Sequence, residues 1–352
     1  MPTVERPPRS PAAVAVLAVL GCLAPLSGCA GEPVSFDTPP APAGAGAHAL
    51  PGPAARPSAA AGPVAGTLMP TGPRAEFTTE NTVDDGTKIG VTTLAGRKSG
   101  FTGRVWVWAP PQYFEPRYAK SGFPVLIALP GGNGYPKNYW MGTDLKLQSS
   151  ISRWSKEGRS LPFIVVMPVL NPDAEHYHDG SDIPGHEKMG TWMTEDVPDF
   201  VRANFRTFTS RDGWAFMGSS SGAFVGLKSV LKHPDKFKAV IASGPDTVPD
   251  SPLWAGHEAE KAANDPEKLA RALSARPSSP ESDVYLAFQI GTEESGLGNL
   301  RSFIRDYGKG PVRTRLEVVR GGGHDARTYV RGMGDGSIRW ISEHMLAPVP
   351  SP

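Results

Sequence analysis

The chain has 352 residues, and 36 Lys and Arg against 35 Asp and Glu give a formal net charge of +1, which leaves no electrostatic footprint for nucleic acid. Gly 40 and Pro 37 together reach about twice ordinary usage. Cys22 and Cys29 are the only cysteines, and their place near the N-terminus excludes a disulfide scaffold, a thiolate metal cage or a redox pair in the body of the protein.

In chain order, Arg6 and Arg9 precede an apolar run from Pro11 to Leu26, followed by Leu26-Ser27-Gly28-Cys29. The run is shorter than the ~20 residues that span a bilayer, and it reads as an export signal. The four residues ending at Cys29 look like a bacterial lipobox, in which the thiol receives diacylglycerol and becomes the first mature residue. Val19-Leu20-Gly21-Cys22 is a poorer copy because Leu20 is bulky. The expectation is a signal peptide over 1–28 and a lipid anchor at Cys29, placing the protein on the extracytoplasmic face of the cell membrane. Secretion without lipid is the alternative. Residues 30–75 hold 10 Pro, 13 Ala and 7 Gly and read as a disordered tether over 29–75, with reach on the order of 40 Å as a flexible coil. A folded domain is expected over 76–346 and a disordered tail over 347–352.

Within that domain short β-rich runs alternate with helical patterns, as in an α/β fold with a mostly parallel sheet covered by helices on both faces. The expected strands are Val105–Trp108, Val125–Leu129, Phe163–Met167, Trp214–Met217, Ala239–Ala242, Val284–Phe288 and Leu316–Val319. Helices are expected near 143–157, 194–205, 221–233, 265–275, 296–308 and 325–345. In the third, Phe224, Leu227, Val230 and Leu231 share the core face while Lys228 and Lys232 point away.

Gly218-Ser219-Ser220-Ser221-Gly222 has the form G-x-S-x-G. It follows an expected strand and opens an expected helix, the setting of a nucleophile elbow that would lift the Ser220 hydroxyl above the sheet. A serine needs a base, and the base needs an orienting acid. His324, in Gly321-Gly322-Gly323-His324-Asp325 after the last strand, is the candidate base. Gly291-Thr292-Glu293-Glu294 follows the preceding strand and offers two carboxylates, of which Glu294 is preferred. Backbone N–H groups of Ser221 and of Gly132, chosen over Gly131, are the expected oxyanion donors. His176, His178 and His186 could ligate zinc, but their Asp-, Gly- and Pro-rich surroundings favour a substrate-side loop, so neither a metal nor another cofactor is expected. If that loop borders the pocket, Trp192 and Tyr177 would shape it.

These residues, with Phe123–Gly132, Trp192–Phe200, Met217–Ala223, His233-Pro234-Asp235-Lys236-Phe237 and Gly322–Asp325, resemble the esterase family that includes esterase D, feruloyl esterases and the antigen 85 mycolyltransferases. The resemblance spans most of residues 100–345. It implies the α/β-hydrolase fold, a Ser–acid–His triad, and oxyanion donors at Gly132 and Ser221. In the mycolyltransferase branch the acid is Glu, and the segment Trp192–Asn204 is similar to that branch. Many members carry an aliphatic residue or Met at the position of Ser221 and Asp at that of Glu294; neither change removes a needed group. The expected activity is therefore serine-dependent ester hydrolysis, or acyl transfer to a sugar or lipid alcohol. The contrary expectation is a hydrolase-fold binding protein without catalysis.

Overall fold

The computed structural model describes residues 31–37 and 64–351. The expected signal segment, Cys29 and residues 38–63 of the expected tether lie outside the described residues.

The strands are β1 (Pro33–Val34), β2 (Thr67–Leu68), β3 (Phe77–Thr82), β4 (Lys88–Ala95), β5 (Thr102–Trp108), β6 (Val125–Leu129), β7 (Ile164–Pro168), β8 (Thr207–Phe208), β9 (Trp214–Ser219), β10 (Ala239–Ser243), β11 (Val284–Gly291) and β12 (Val312–Val319). The α-helices are α1 (Leu147–Lys156), α2 (Met189–Thr191), α3 (Val197–Asn204), α4 (Ser221–Lys232), α5 (Glu258–Ala263), α6 (Pro266–Ser274), α7 (Leu297–Tyr307), α8 (Ala326–Gly332) and α9 (Ile338–Ser342). A widened helical turn, Trp192–Asp196, joins α2 to α3, and Met333–Ser337 joins α8 to α9.

Ten strands form one sheet in the order β1-β3-β4-β5-β7-β6-β9-β10-β11-β12. Pairing is antiparallel from β1 to β7 and parallel from β7 to β12. This is the α/β-hydrolase architecture. Strands β6, β7, β9 and β10 are buried at every position, which is why they read as unbroken apolar runs. The antiparallel edge was not legible in the same way. β3 (Phe-Thr-Thr-Glu-Asn-Thr) and β4 carry only a few buried positions each, so their sequences lack that apolar continuity.

The structure corrects both ends of the expected domain. Residues 31–37 and 64–75 belong to the fold, because β1 pairs with β3 and β2 with β8. Phe36 is buried and meets Phe77 and Phe205 edge-on, each at 5.1 Å between ring centres. One aromatic side chain in a Pro- and Ala-rich stretch is enough to seat the segment on the open sheet edge. At the other end, Val349 N–H donates to Ser121 Oγ at 2.9 Å and Ser351 N–H to Arg117 O at 2.6 Å, so the tail lies along the body.

Lys228 is a further correction. It is 2% exposed, on the inner side of α4, and its Nζ donates to Asp179 O at 2.6 Å, to Ser181 Oγ at 2.6 Å, and to Gly180 O. Asp179 and Gly180 both take positive φ, 51° and 50°, and the Asp179 carboxylate accepts from Trp254 Nε1 at 2.7 Å. The amine therefore clips the loop after β7 to α4. Burial pushes its pKa down to about 7 from 10.5.

Lys228→Met should lower the unfolding free energy by about 2–4 kcal/mol, because two carbonyls and a hydroxyl lose a buried donor. An unchanged urea midpoint would contradict the clip. Since the folded pKa lies below the unfolded one, the unfolded chain binds the extra proton between them. Wild-type stability should then rise from pH 7 to 9 by about 1 kcal/mol per unit. Lys228→Met should lose that rise, and an equal slope in both proteins would count against it.

Candidate active site

Parallel register brings the working loops to one edge of the sheet. Leu129 on β6 pairs with Gly218 on β9, Ser219 with Ser243 on β10, Ser243 with Gln289 on β11, and Gly291 with Val319 on β12. The strands thus end together, and the loops following β6, β9, β11 and β12 carry Gly132, Ser220, Glu294 and His324.

Ser220 sits between β9 and α4 with φ 51° and ψ −123°, a conformation that costs a non-glycine residue ~1–3 kcal/mol. Surrounding contacts impose it. Ser220 N–H donates to Ser243 O at 2.9 Å, and Ser220 O accepts from Phe224 N–H at 2.9 Å. A Cβ on Gly222 would stand 2.6 Å from Leu129 O, and one on Gly218 would stand 2.7 Å from Ala223 N. The first would force α4 away from β6 and the second would force it away from β9.

The loop after β6 is pinned from three sides. Asn138 Nδ2 donates to Ala128 O and Pro168 O at 2.8 Å each, and Trp140 Nε1 to Leu129 O at 2.9 Å. Tyr139 between them accepts from Gly131 N–H at 2.7 Å and shares a hydrogen bond with the Ser219 hydroxyl. Gly131 N–H is therefore occupied, whereas the N–H groups of Gly132 and Ser221 have no partner among the described residues. Ser221 Oγ donates to Gly132 O at 2.7 Å. The serine that departs from the family pattern ties the two unpartnered donors together.

Glu294 and His324 meet across the loops after β11 and β12. Glu294 Oε2 lies 2.5 Å from His324 Nδ1, with the carboxylate side chain 6% exposed and the imidazole 51%. Glu294 Oε1 accepts from Gly291 N–H at 2.6 Å. Glu293 is exposed. Ser220 and His324 line one pocket of about 410 Å³ together with Gly131, Gly132, Tyr139 and Tyr329. The imidazole is bonded to Glu294 and Tyr329 and not to Ser220, which is common in unliganded sites where the serine–histidine bond tightens on substrate binding.

Two tyrosines of the pocket escaped the sequence reading. Tyr139 and Tyr329 carry no motif of their own; the signals were their places, one in the loop after the first parallel strand and one a turn beyond His324. The histidine loop is elsewhere. His178 is buried, with burial holding it below the usual histidine range, while His176 and His186 are exposed. Among the described residues no three His, Cys, Asp or Glu side chains converge as metal ligands. Trp192 is fully buried, edge-on to Phe101 at 5.0 Å. Neither it nor Tyr177 lines the pocket with Ser220, so the expectation that they shape that pocket is corrected.

The chain is 23% identical over 265 residues to an uncharacterized protein of Corynebacterium glutamicum, and spans 60% of that relative's length and 70% of its own. Among solved structures it is similar to a ferulic acid esterase, with a TM-score of 0.59, 19% identity and coverage of 74% of this chain and 99% of the other. It is also similar to an S-formylglutathione hydrolase from Agrobacterium tumefaciens, with a TM-score of 0.57, 20% identity and coverage of 77% and 99%. A fluorophosphonate-binding serine hydrolase of Staphylococcus aureus gives 0.54, 17%, 73% and 98%. At these identities the structural likenesses speak for the fold. The family model described as "Putative esterase" matches residues 103–330, from β5 to α8, and with that match the chain belongs to this esterase family.

Proposed function

We propose that this protein hydrolyses carboxylic esters through a covalent Ser220 acyl intermediate, on the outer face of the cell membrane. The observation that carries the chemistry is the Glu294–His324 pair at 2.5 Å, opening on the pocket that Ser220 shares. His324 takes the Ser220 proton as Oγ attacks the ester carbonyl. Glu294, nearly buried, accepts from Nδ1–H and stabilises the imidazolium that forms. The N–H groups of Gly132 and Ser221, both without a partner among the described residues, receive the oxyanion. His324 returns its proton to the leaving alcohol, then activates water to release the acid. Esterase family membership supports this reading. A sugar or lipid alcohol replacing water would make the same machinery an acyltransferase.

Export and anchoring rest on the N-terminal sequence. The Arg6 and Arg9 pair, the apolar run and Leu26-Ser27-Gly28-Cys29 support diacylglycerol on Cys29. Two or more acyl chains, at ~0.8 kcal/mol per buried methylene, give stable attachment where one does not.

Ser220→Ala should lower kcat on an aryl acetate by roughly 10⁵–10⁶; hydrolysis at the wild-type rate would refute the nucleophile, and absence of hydrolysis by the wild-type protein would favour the binding-protein reading. Glu294→Gln should cost roughly 10³–10⁴ in kcat and Glu293→Gln less than about 3-fold. The reverse ranking would transfer the acid role to Glu293. In cells fed labelled palmitate, the wild-type chain should incorporate label and fractionate with membranes, and Cys29→Ala should do neither. Label retained in Cys29→Ala would move the anchor elsewhere.

A further inference from the structure

The Glu294–His324 pair has a third partner that acyl transfer as described leaves unused. Tyr329, 1% exposed, lies in α8 five residues after His324. Its hydroxyl donates to Glu294 Oε2 at 2.8 Å and lies 2.8 Å from His324 Nδ1, the same two atoms that meet at 2.5 Å. Glu294 Oε2 thus receives two donors, Nδ1–H and the phenol, while Oε1 holds Gly291 N–H.

The space around the phenol oxygen is shaped for it. Gly244, at φ 54° just beyond β10, faces the cluster; a Cβ there would collide with the Tyr329 hydroxyl and stand 2.8 Å from Glu294 Oε2 and 2.9 Å from His324 Cε1. The Tyr329 ring meets the imidazole edge-on, at 5.8 Å and 90°. Burial and the bond to Glu294 hold the phenol pKa well above its ordinary value, so the hydroxyl keeps its proton and remains a donor.

We propose that Tyr329 is a positioning residue that sets the basicity of His324 through Glu294, an inference resting on the reading of Ser220, His324 and Glu294 as the catalytic triad. A carboxylate alone at 2.5 Å would make the imidazole hold its proton tightly. A neutral O–H on the same oxygen draws part of that negative charge toward itself and lowers the affinity of Nδ1–Nε2 for a second proton. Of the other charged groups near the imidazole, three carboxylates act the opposite way, while Arg327 and Arg331 of α8 are bonded to Asp144 and to Arg320 O. Glu293, in the loop after β11, and Asp325, at the start of α8, have carboxylate oxygens beside Gly323, the residue before His324, and Asp246, in the loop after β10, is close enough to His324 for the two charges to interact. Each is a carboxylate and each favours imidazolium. Tyr139, the second phenol near the cluster, is engaged with Gly131 and Ser219. Removing the Tyr329 hydroxyl leaves the acidic surroundings unopposed, and more of the enzyme carries an unreactive protonated His324 near neutral pH.

The test is the pH profile of kcat/KM for an aryl acetate, whose acid limb reports the free-enzyme histidine. Tyr329→Phe should move that limb to higher pH by about half a unit or more, with KM changed less than about 2-fold. Site-specific replacement of Tyr329 by 3-fluorotyrosine, a stronger donor of nearly the same size, should move it to lower pH; this second variant keeps the test open if Tyr329→Phe unfolds. A limb that stays put, or moves in the same direction in both variants, overturns the proposal. Ser220→Ala run in parallel separates the layers. Retained hydrolysis in Ser220→Ala would overturn the triad and this inference with it. An inactive Ser220→Ala beside unshifted tyrosine variants would overturn the role of Tyr329 alone.

Discussion

The site depends on how closely the first turn of α4 approaches the ends of β6 and β9. That approach leaves no room for a side chain at Gly218 or Gly222, and it compels Ser220 into a left-handed backbone that most residues avoid. The same contact sets Ser221 N–H beside the Gly132 loop, where the Ser221 hydroxyl fastens one to the other. A strained serine and a pair of donors without partners among the described residues therefore arise from a single packing constraint. The strain of ~1–3 kcal/mol is small beside the burial of β6, β9 and α4 that holds it in place.

Around that fixed point the fold arranges charge by depth. Glu294 is nearly enclosed and has three donors, one from Gly291 and two on Oε2. A buried carboxylate so supplied is held in one orientation, and it fixes that of the imidazole bonded to it. His324 is half exposed, free to meet a substrate entering the pocket. Lys228, two turns further along the same helix, gathers the carbonyls of Asp179 and Gly180. In this way α4 is held at its N-terminus by β6 and along its flank by the loop after β7.

Much of this was legible in the sequence, and the exceptions have physical causes. The parallel strands announced themselves because both faces are covered. β3 and β4 did not, since an antiparallel edge with few buried positions is written largely in Thr, Glu, Asn and Gly. Gly218-x-Ser220-x-Gly222 and His324 were readable because their chemistry needs particular residue types at particular strand ends. Tyr329 and Tyr139 were not, since a tyrosine's role comes from what its hydroxyl reaches, and that is set by loops far apart in the chain. Lys228 misled for a related reason: helical spacing places a side chain on a face, but the neighbouring loop decides whether that face meets water. Phe36 shows the same limit in reverse, one buried ring anchoring a segment whose composition reads as tether.

Whether Ser220 is a nucleophile activated by His324 can be read by mass spectrometry of the protein treated with a fluorophosphonate. One phosphonyl group per chain is expected, carried on Ser220, with the rate of labelling falling by orders of magnitude in His324→Ala. A protein that hydrolyses esters while its Ser220 remains unlabelled, or that carries the adduct on another serine, would contradict that role.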